Sequence, residues 1–85
     1  MAAINLNCES YRELLKGNKP VLVEFWVPWC GYCRRINPAF DQIAEAYCDR
    51  LVVGKVNIDE EPRLAEAAHI ELIPTLVLYR NGTLT

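Results

Sequence analysis

The chain carries no excess of positive charge: 9 lysines and arginines face 11 aspartates and glutamates, for a net charge of -2. Its basic residues form no stripe and do not interleave with aromatics, so nucleic acid is not an expected partner. Its apolar runs fall far short of the roughly 20 residues that a membrane helix requires. Met1-Ala2-Ala3-Ile4-Asn5 has neither the positive start nor the long apolar stretch of a secretory leader. The expectation is a protein with no membrane segment, located in the cytoplasm. Histidine occurs once, at His69, with no cysteine or acid at ligand spacing. A tetrathiolate metal site would need a second paired-cysteine motif, or Cys8 and Cys48 converging, and those two stand alone in helical patterns. No metal is expected. Eighty-five residues leave no room for a second domain, so residues 1–85 are read as one small domain of modest stability.

What the chain does have is Trp29-Cys30-Gly31-Tyr32-Cys33, placed directly after the apolar run Val21 to Val27 and directly before a helical pattern. This puts two cysteines, three apart, on the first turn of a helix at the carboxyl end of a buried strand. Unpaired N–H groups and a partial positive charge at a helix start stabilise a thiolate. The spacing also lets the second sulfur attack a mixed disulfide formed by the first. Disulfide exchange is the leading chemistry. A permanent staple is the weaker reading, because cysteines three apart close a tiny loop and stabilise little.

Around the motif the elements follow from periodicity. Ile4 to Leu6 reads as a short strand, and Asn7 as the N-cap of a helix from Cys8 to Lys16, with Tyr11, Leu14 and Leu15 on one face. Gly17-Asn18-Lys19-Pro20 breaks the chain. Val21 to Val27 is apolar throughout except for Glu24, which suits a central strand covered on both faces. Ile36, Phe40, Ile43, Ala44 and Tyr47 mark a helix from Cys33 to Tyr47, with Pro38 inside it bending the axis. Leu51 to Asn57 is a second internal strand. Asp59-Glu60-Glu61-Pro62 opens a short helix running to Ala68, the proline sitting where its missing N–H costs least. Thr75 to Arg80 is a strand, Asn81-Gly82 the dipeptide of a type I′ hairpin turn, and Thr83 starts the return strand. The order is βαβαβαβ plus the beginning of one more strand.

These residues resemble the thioredoxin family over about Ile4 to Leu84. The landmarks are Val23-Glu24-Phe25-Trp26 leading to the cysteine motif, Pro38 in the next helix, Val56-Asn57-Ile58-Asp59, Ile73-Pro74-Thr75, and Arg80-Asn81-Gly82. The resemblance implies an α/β thioredoxin fold, a mixed central sheet flanked by helices. It also implies a cis bond between Ile73 and Pro74, and a docking surface of Trp29, Gly31, Tyr32, Ile73 and Pro74. Cys30 would attack a substrate disulfide and Cys33 would resolve it, a cycle that needs no metal or organic cofactor. Glu24 stands where the family has a buried aspartate and Lys55 where it has a nearby lysine, so these two would move the proton of Cys33. The alternative for Glu24 is a charge turned outward to pair with Lys55. Implied partners are disulfide-containing proteins and a flavoprotein disulfide reductase as electron donor.

The chain departs from the family at four places. Tyr32 replaces the usual proline between the cysteines, and serves either as a substrate-facing ring or as a plain surface residue. Glu24 is one methylene longer than aspartate. Leu72 occupies a position where glycine is frequent. The family's last strand and terminal helix have no counterpart, which leads us to expect a truncated chain, with Val, Leu and Tyr side chains of the last strand exposed. Failing truncation, a dimer or swapped assembly would supply the cover. Arg34 and Arg35 are read as solvated charges, Trp26 as core, and Cys8 and Cys48 as incidental thiols. Three function classes follow: a dithiol reductase, an isomerase or oxidase using the same cysteines, and an adaptor that binds irrespective of redox state.

Overall fold

The computed structural model describes residues 3–84, the last of them in its backbone only. Met1 and Ala2, read above for a leader, and Thr85 lie outside the described residues. The elements are β1 (Ile4–Asn5), α1 (Cys8–Leu15), β2 (Val21–Trp26), α2 (Gly31–Ala46), β3 (Val52–Asn57), α3 (Pro62–Ala67), β4 (Thr75–Arg80) and β5 (Thr83–Leu84). They build a five-stranded sheet in the order β1-β3-β2-β4-β5, with β1 and β2 parallel to β3, β4 antiparallel to β2, and β5 antiparallel to β4. The mixed sheet and its flanking helices are those the family resemblance implies.

Local chemistry accounts for the boundaries. Asn7 Oδ1 accepts from the Ser10 N–H at 2.8 Å and Ser10 Oγ accepts from the Asn7 N–H at 2.9 Å, a reciprocal cap that starts α1. Pro62 opens α3. Asn81 and Gly82 have φ of 53° and 77°, the two left-handed residues that a type I′ turn needs. Most boundaries move by one or two residues from the sequence reading, and three of these shifts are informative. Leu6 falls outside β1, its N–H bonding the Lys55 carbonyl and its side chain filling the core. α2 begins at Gly31 rather than Cys33, because Cys30 itself is the cap. It ends at Ala46, so Cys48 lies in the exposed turn after the helix and not within it.

The strand β2 organises the interior, since its two faces meet different helices. Val21, Val23 and Phe25 join Leu6, Val56, Leu64, Ala65 and Tyr79 in the main core, against which residues of α1 also pack. On the other face Leu22 packs with Phe40 and Ala44 of α2 and with Val53 of β3. Full burial of one such side chain contributes about 1.5–3 kcal/mol, so a domain this small depends on each. Gly54 lies where a Cβ would come within 2.5 Å of Leu6 Cδ1, which explains a glycine inside an otherwise branched strand.

Strand β4 corrects one expectation. Leu76 is exposed, but Tyr79 is buried and its hydroxyl bonds that of Tyr11, the rings meeting edge to face at 5.8 Å. Only the Leu76 face of β4 is open, because the alternate side chains Val77 and Tyr79 point to the main core.

Candidate functional site

Three chain segments leave the sheet at the same end. β2 runs out at Trp26 toward Cys30, and parallel β3 runs out beside it, Asn57 opposite Trp26. Antiparallel β4 enters there, Thr75 opposite Phe25, bringing Leu72 to Pro74 to the same rim. The carboxyl ends of parallel strands thus collect the cysteine turn, the Asp59 turn and the proline loop, the usual place for a site in such sheets. The Ile73–Pro74 bond is cis, and Thr75 Oγ1 donates to the Leu72 carbonyl.

The cysteine turn separates two chemically distinct thiols. Cys30 caps α2, and its Sγ accepts the Cys33 N–H at 3.2 Å. The thiol is held below its ordinary value, first by the side-chain hydrogen bond from Cys33, then by backbone N–H groups of Cys33 and Tyr32, with a smaller contribution from the Arg34 charge. Cys33 has no solvent exposure, and burial, reinforced by its bond to Cys30, pushes its thiol up to about 11. Both cysteines are free thiols, as are half-buried Cys8 and exposed Cys48.

Behind the pair lies Glu24, 0 % exposed, which rules out the outward-turned alternative. Burial raises its carboxyl from 4.5 to about 7; the Lys55 charge opposes this and Asp41 adds to it. Lys55 stands directly opposite Glu24 in the sheet, with its ammonium 5.5 Å from the centre of the Trp26 ring. Asn37 is a residue that sequence reasoning passed over. Oriented so that its amide nitrogen faces the nearby acceptors, it donates to Glu24 Oε1 at 2.9 Å, Glu24 Oε2 at 3.2 Å and the Cys33 carbonyl at 3.0 Å. Its position four residues after Cys33, hence on the same helix face, was the available signal.

Around Cys30 the rim is apolar and open. Trp29 is 73 % exposed, Tyr32 67 % and Leu72 77 %, with Ile73 alongside. The Trp29 indole has a partner on the neighbouring turn: its Nε1 donates to Asp59 Oδ2 at 3.0 Å, and the Asp59 N–H in turn donates to Asn57 Oδ1. At Gly31 an added Cβ would meet nothing within 4 Å. Among the described residues no group of histidines, cysteines and acids is placed to hold a metal ion, and no helix is long and apolar enough to cross a membrane.

Comparison with known proteins agrees with this geometry. The thioredoxin family model matches residues 2–85. The chain belongs to the thioredoxin family. It is 41% identical over 81 residues to the thioredoxin of Alicyclobacillus acidocaldarius subsp. acidocaldarius, covering 95% of this chain and 77% of that one. It is 48% identical over 71 residues to thioredoxin 1 of Synechococcus elongatus and 50% identical over 72 residues to the thioredoxin of Acidithiobacillus ferridurans. The matches cover 84% and 85% of this chain, and 66% and 67% of those relatives. Among solved structures, oxidised mitochondrial thioredoxin 3 of Saccharomyces cerevisiae superposes with a TM-score of 0.88 at 30% identity, covering 98% of this chain and 78% of that one. Thioredoxin-family membership supports thiol–disulfide oxidoreductase chemistry and, through the named thioredoxins, protein-disulfide reductase activity.

The thiol asymmetry of this thioredoxin-family site is directly measurable. With limiting iodoacetamide, Cys30 should be alkylated first, its rate rising through a midpoint below that of an ordinary thiol, while Cys33 stays unmodified until the fold opens. Peptide mapping across a pH series checks this. Equal labelling of the two cysteines in the folded protein would contradict it.

Proposed function

We propose that the chain reduces protein disulfides through reversible exchange at Cys30 and Cys33. The observation that carries this reading is the split between the two thiols, one accessible and lowered, the other buried and raised. The Cys30 thiolate attacks one sulfur of a substrate disulfide; a mixed disulfide forms and the other substrate sulfur leaves as a thiolate. Cys33 then loses its proton to the Glu24 carboxylate and attacks Cys30 Sγ. The Cys30–Cys33 disulfide forms and the second substrate sulfur departs, so two electrons have passed from the protein to the substrate. Lys55, facing Glu24, keeps part of the carboxyl population ionised to accept that proton.

Trp29, Gly31, Tyr32, Ile73 and Pro74 form the surface that receives the substrate backbone, with Leu72 extending its apolar rim. We assign Tyr32 to that surface because its ring stands in solvent beside Cys30 instead of packing inward. A flavoprotein disulfide reductase returns the pair to the dithiol, and the reducing cytoplasm is the compartment that suits such a cycle. Residues 1–85 act as one domain in this scheme. Incubation with insulin and dithiothreitol tests the proposal: the protein should accelerate precipitation of the reduced insulin chain. No rate above the dithiothreitol background would overturn it.

A further inference from the structure

We propose that Asn37 is a positioning residue of the resolving step, holding the Glu24 carboxylate beside Cys33 through one side-chain amide that reaches both. The inference rests on the reading of Glu24 as the acceptor of the Cys33 proton. Its ground is geometric. With its amide oriented to satisfy the acceptors around it, the Asn37 nitrogen lies within hydrogen-bond distance of both Glu24 oxygens and of the Cys33 carbonyl, at 2.9, 3.2 and 3.0 Å. Glu24 sits on β2 and Cys33 on α2, so this amide ties the strand that carries the base to the helix that carries the thiol. A glutamate has one more rotatable bond than an aspartate, and a donor on the facing helix fixes the conformation that this bond would otherwise leave free.

The amide also acts on the proton. A carboxylate accepts through both oxygens, whereas a protonated carboxyl has given up part of that capacity, so an N–H donor favours the charged form. That form takes the proton from Cys33. The other groups facing Glu24 are Lys55 from β3, which favours the charge, and Asp41 and the Cys33 thiol from α2; Leu76, opposite it on β4, is uncharged. Asn37 thus works with Lys55 against burial and Asp41.

Asn37→Ala removes the donor and suits the helix, and Asn37→Leu removes it while keeping most of the volume. In both, the pH midpoint of the resolving step should rise by about one pH unit, with the high-pH plateau nearly kept. Near neutral pH the step should slow about fivefold, because about one tenth of the carboxyls would then be ionised instead of about half. Single-turnover kinetics with excess chromophoric aryl disulfide reads the step, and a carbon NMR titration of the Glu24 carboxyl reads the midpoint independently. In a Glu24→Gln background the Asn37 substitutions should produce no pH shift. If Glu24→Gln leaves the rate and its pH midpoint unchanged, the base role of Glu24 falls and the Asn37 role with it. If Glu24→Gln abolishes the midpoint while both Asn37 variants leave it in place, the role of Asn37 alone is overturned.

Discussion

Cys33→Ser should strand the protein as a covalent adduct with its substrate, while Cys30→Ser should reduce insulin turnover by at least about a thousandfold, to the dithiothreitol background. The difference between the two outcomes follows from where each sulfur sits. Cys30 is accessible at the start of α2, with the Cys33 N–H on its sulfur, so it retains its nucleophilic position when Cys33 is changed. Cys33 has no contact with solvent and a thiol raised to about 11, so it cannot replace Cys30 as the attacking group on an external disulfide. Without Cys33 the first exchange should still occur and the second should not. Intact mass spectrometry under non-reducing conditions should show Cys33→Ser carrying one substrate sulfur-linked peptide, released by dithiothreitol. Wild-type turnover by Cys33→Ser with no adduct would show that Cys33 does not resolve.

The features legible in the sequence are those set by residues close together along the chain. The apolar run at β2, the Asn7 cap, Pro62 at the start of α3 and the Asn81-Gly82 turn each depend on a few neighbouring residues, and each appears where the pattern puts it. The cysteine pair was legible for the same reason. The start of α2 shifted by two residues because a cysteine serves as its cap, a role more often taken by serine, threonine, aspartate or asparagine.

The features that required the fold depend on register between distant segments. Tyr79 looked like part of an uncovered strand until its pairing with Val21 placed it on the face shared with Tyr11 and α3. Leu76, three residues earlier and opposite Glu24, takes the other face and stays open. Asn37 shows the same limit at the site. From sequence it is a polar residue before a proline, and the contacts on which its proposed role rests arise only because α2 docks over the face of β2 that carries Leu22 and Glu24. The Trp29–Asp59 bond likewise joins segments 30 residues apart through the parallel run of β2 and β3.

Glu24→Gln should make the protein more stable at alkaline pH while impairing the chemistry, and the sign follows from linkage. The carboxyl is moved from 4.5 to about 7 in the folded protein, chiefly by burial. Between those values the native state binds more protons than the unfolded chain, so unfolding free energy falls as pH rises through that window. Below about 4.5 the carboxyl is neutral in both states and the penalty is absent; above about 7 it is fully present. The shift corresponds to about 3 kcal/mol, a large share of the stability of so small a domain. Glutamine is neutral throughout. The stability difference between variant and wild type should therefore grow by about 3 kcal/mol, in favour of the variant, from about pH 4.5 to about pH 8. Urea unfolding at a series of pH values measures this, and parallel curves for the two proteins would show that Glu24 is not buried as a charge. Over the same range the resolving step of Glu24→Gln should fall by about a hundredfold at neutral pH, the scale expected when a positioned base is removed. The proposed base role gives this destabilising carboxyl a use: the thiol beside it, raised to about 11, would give up its proton too rarely without a base.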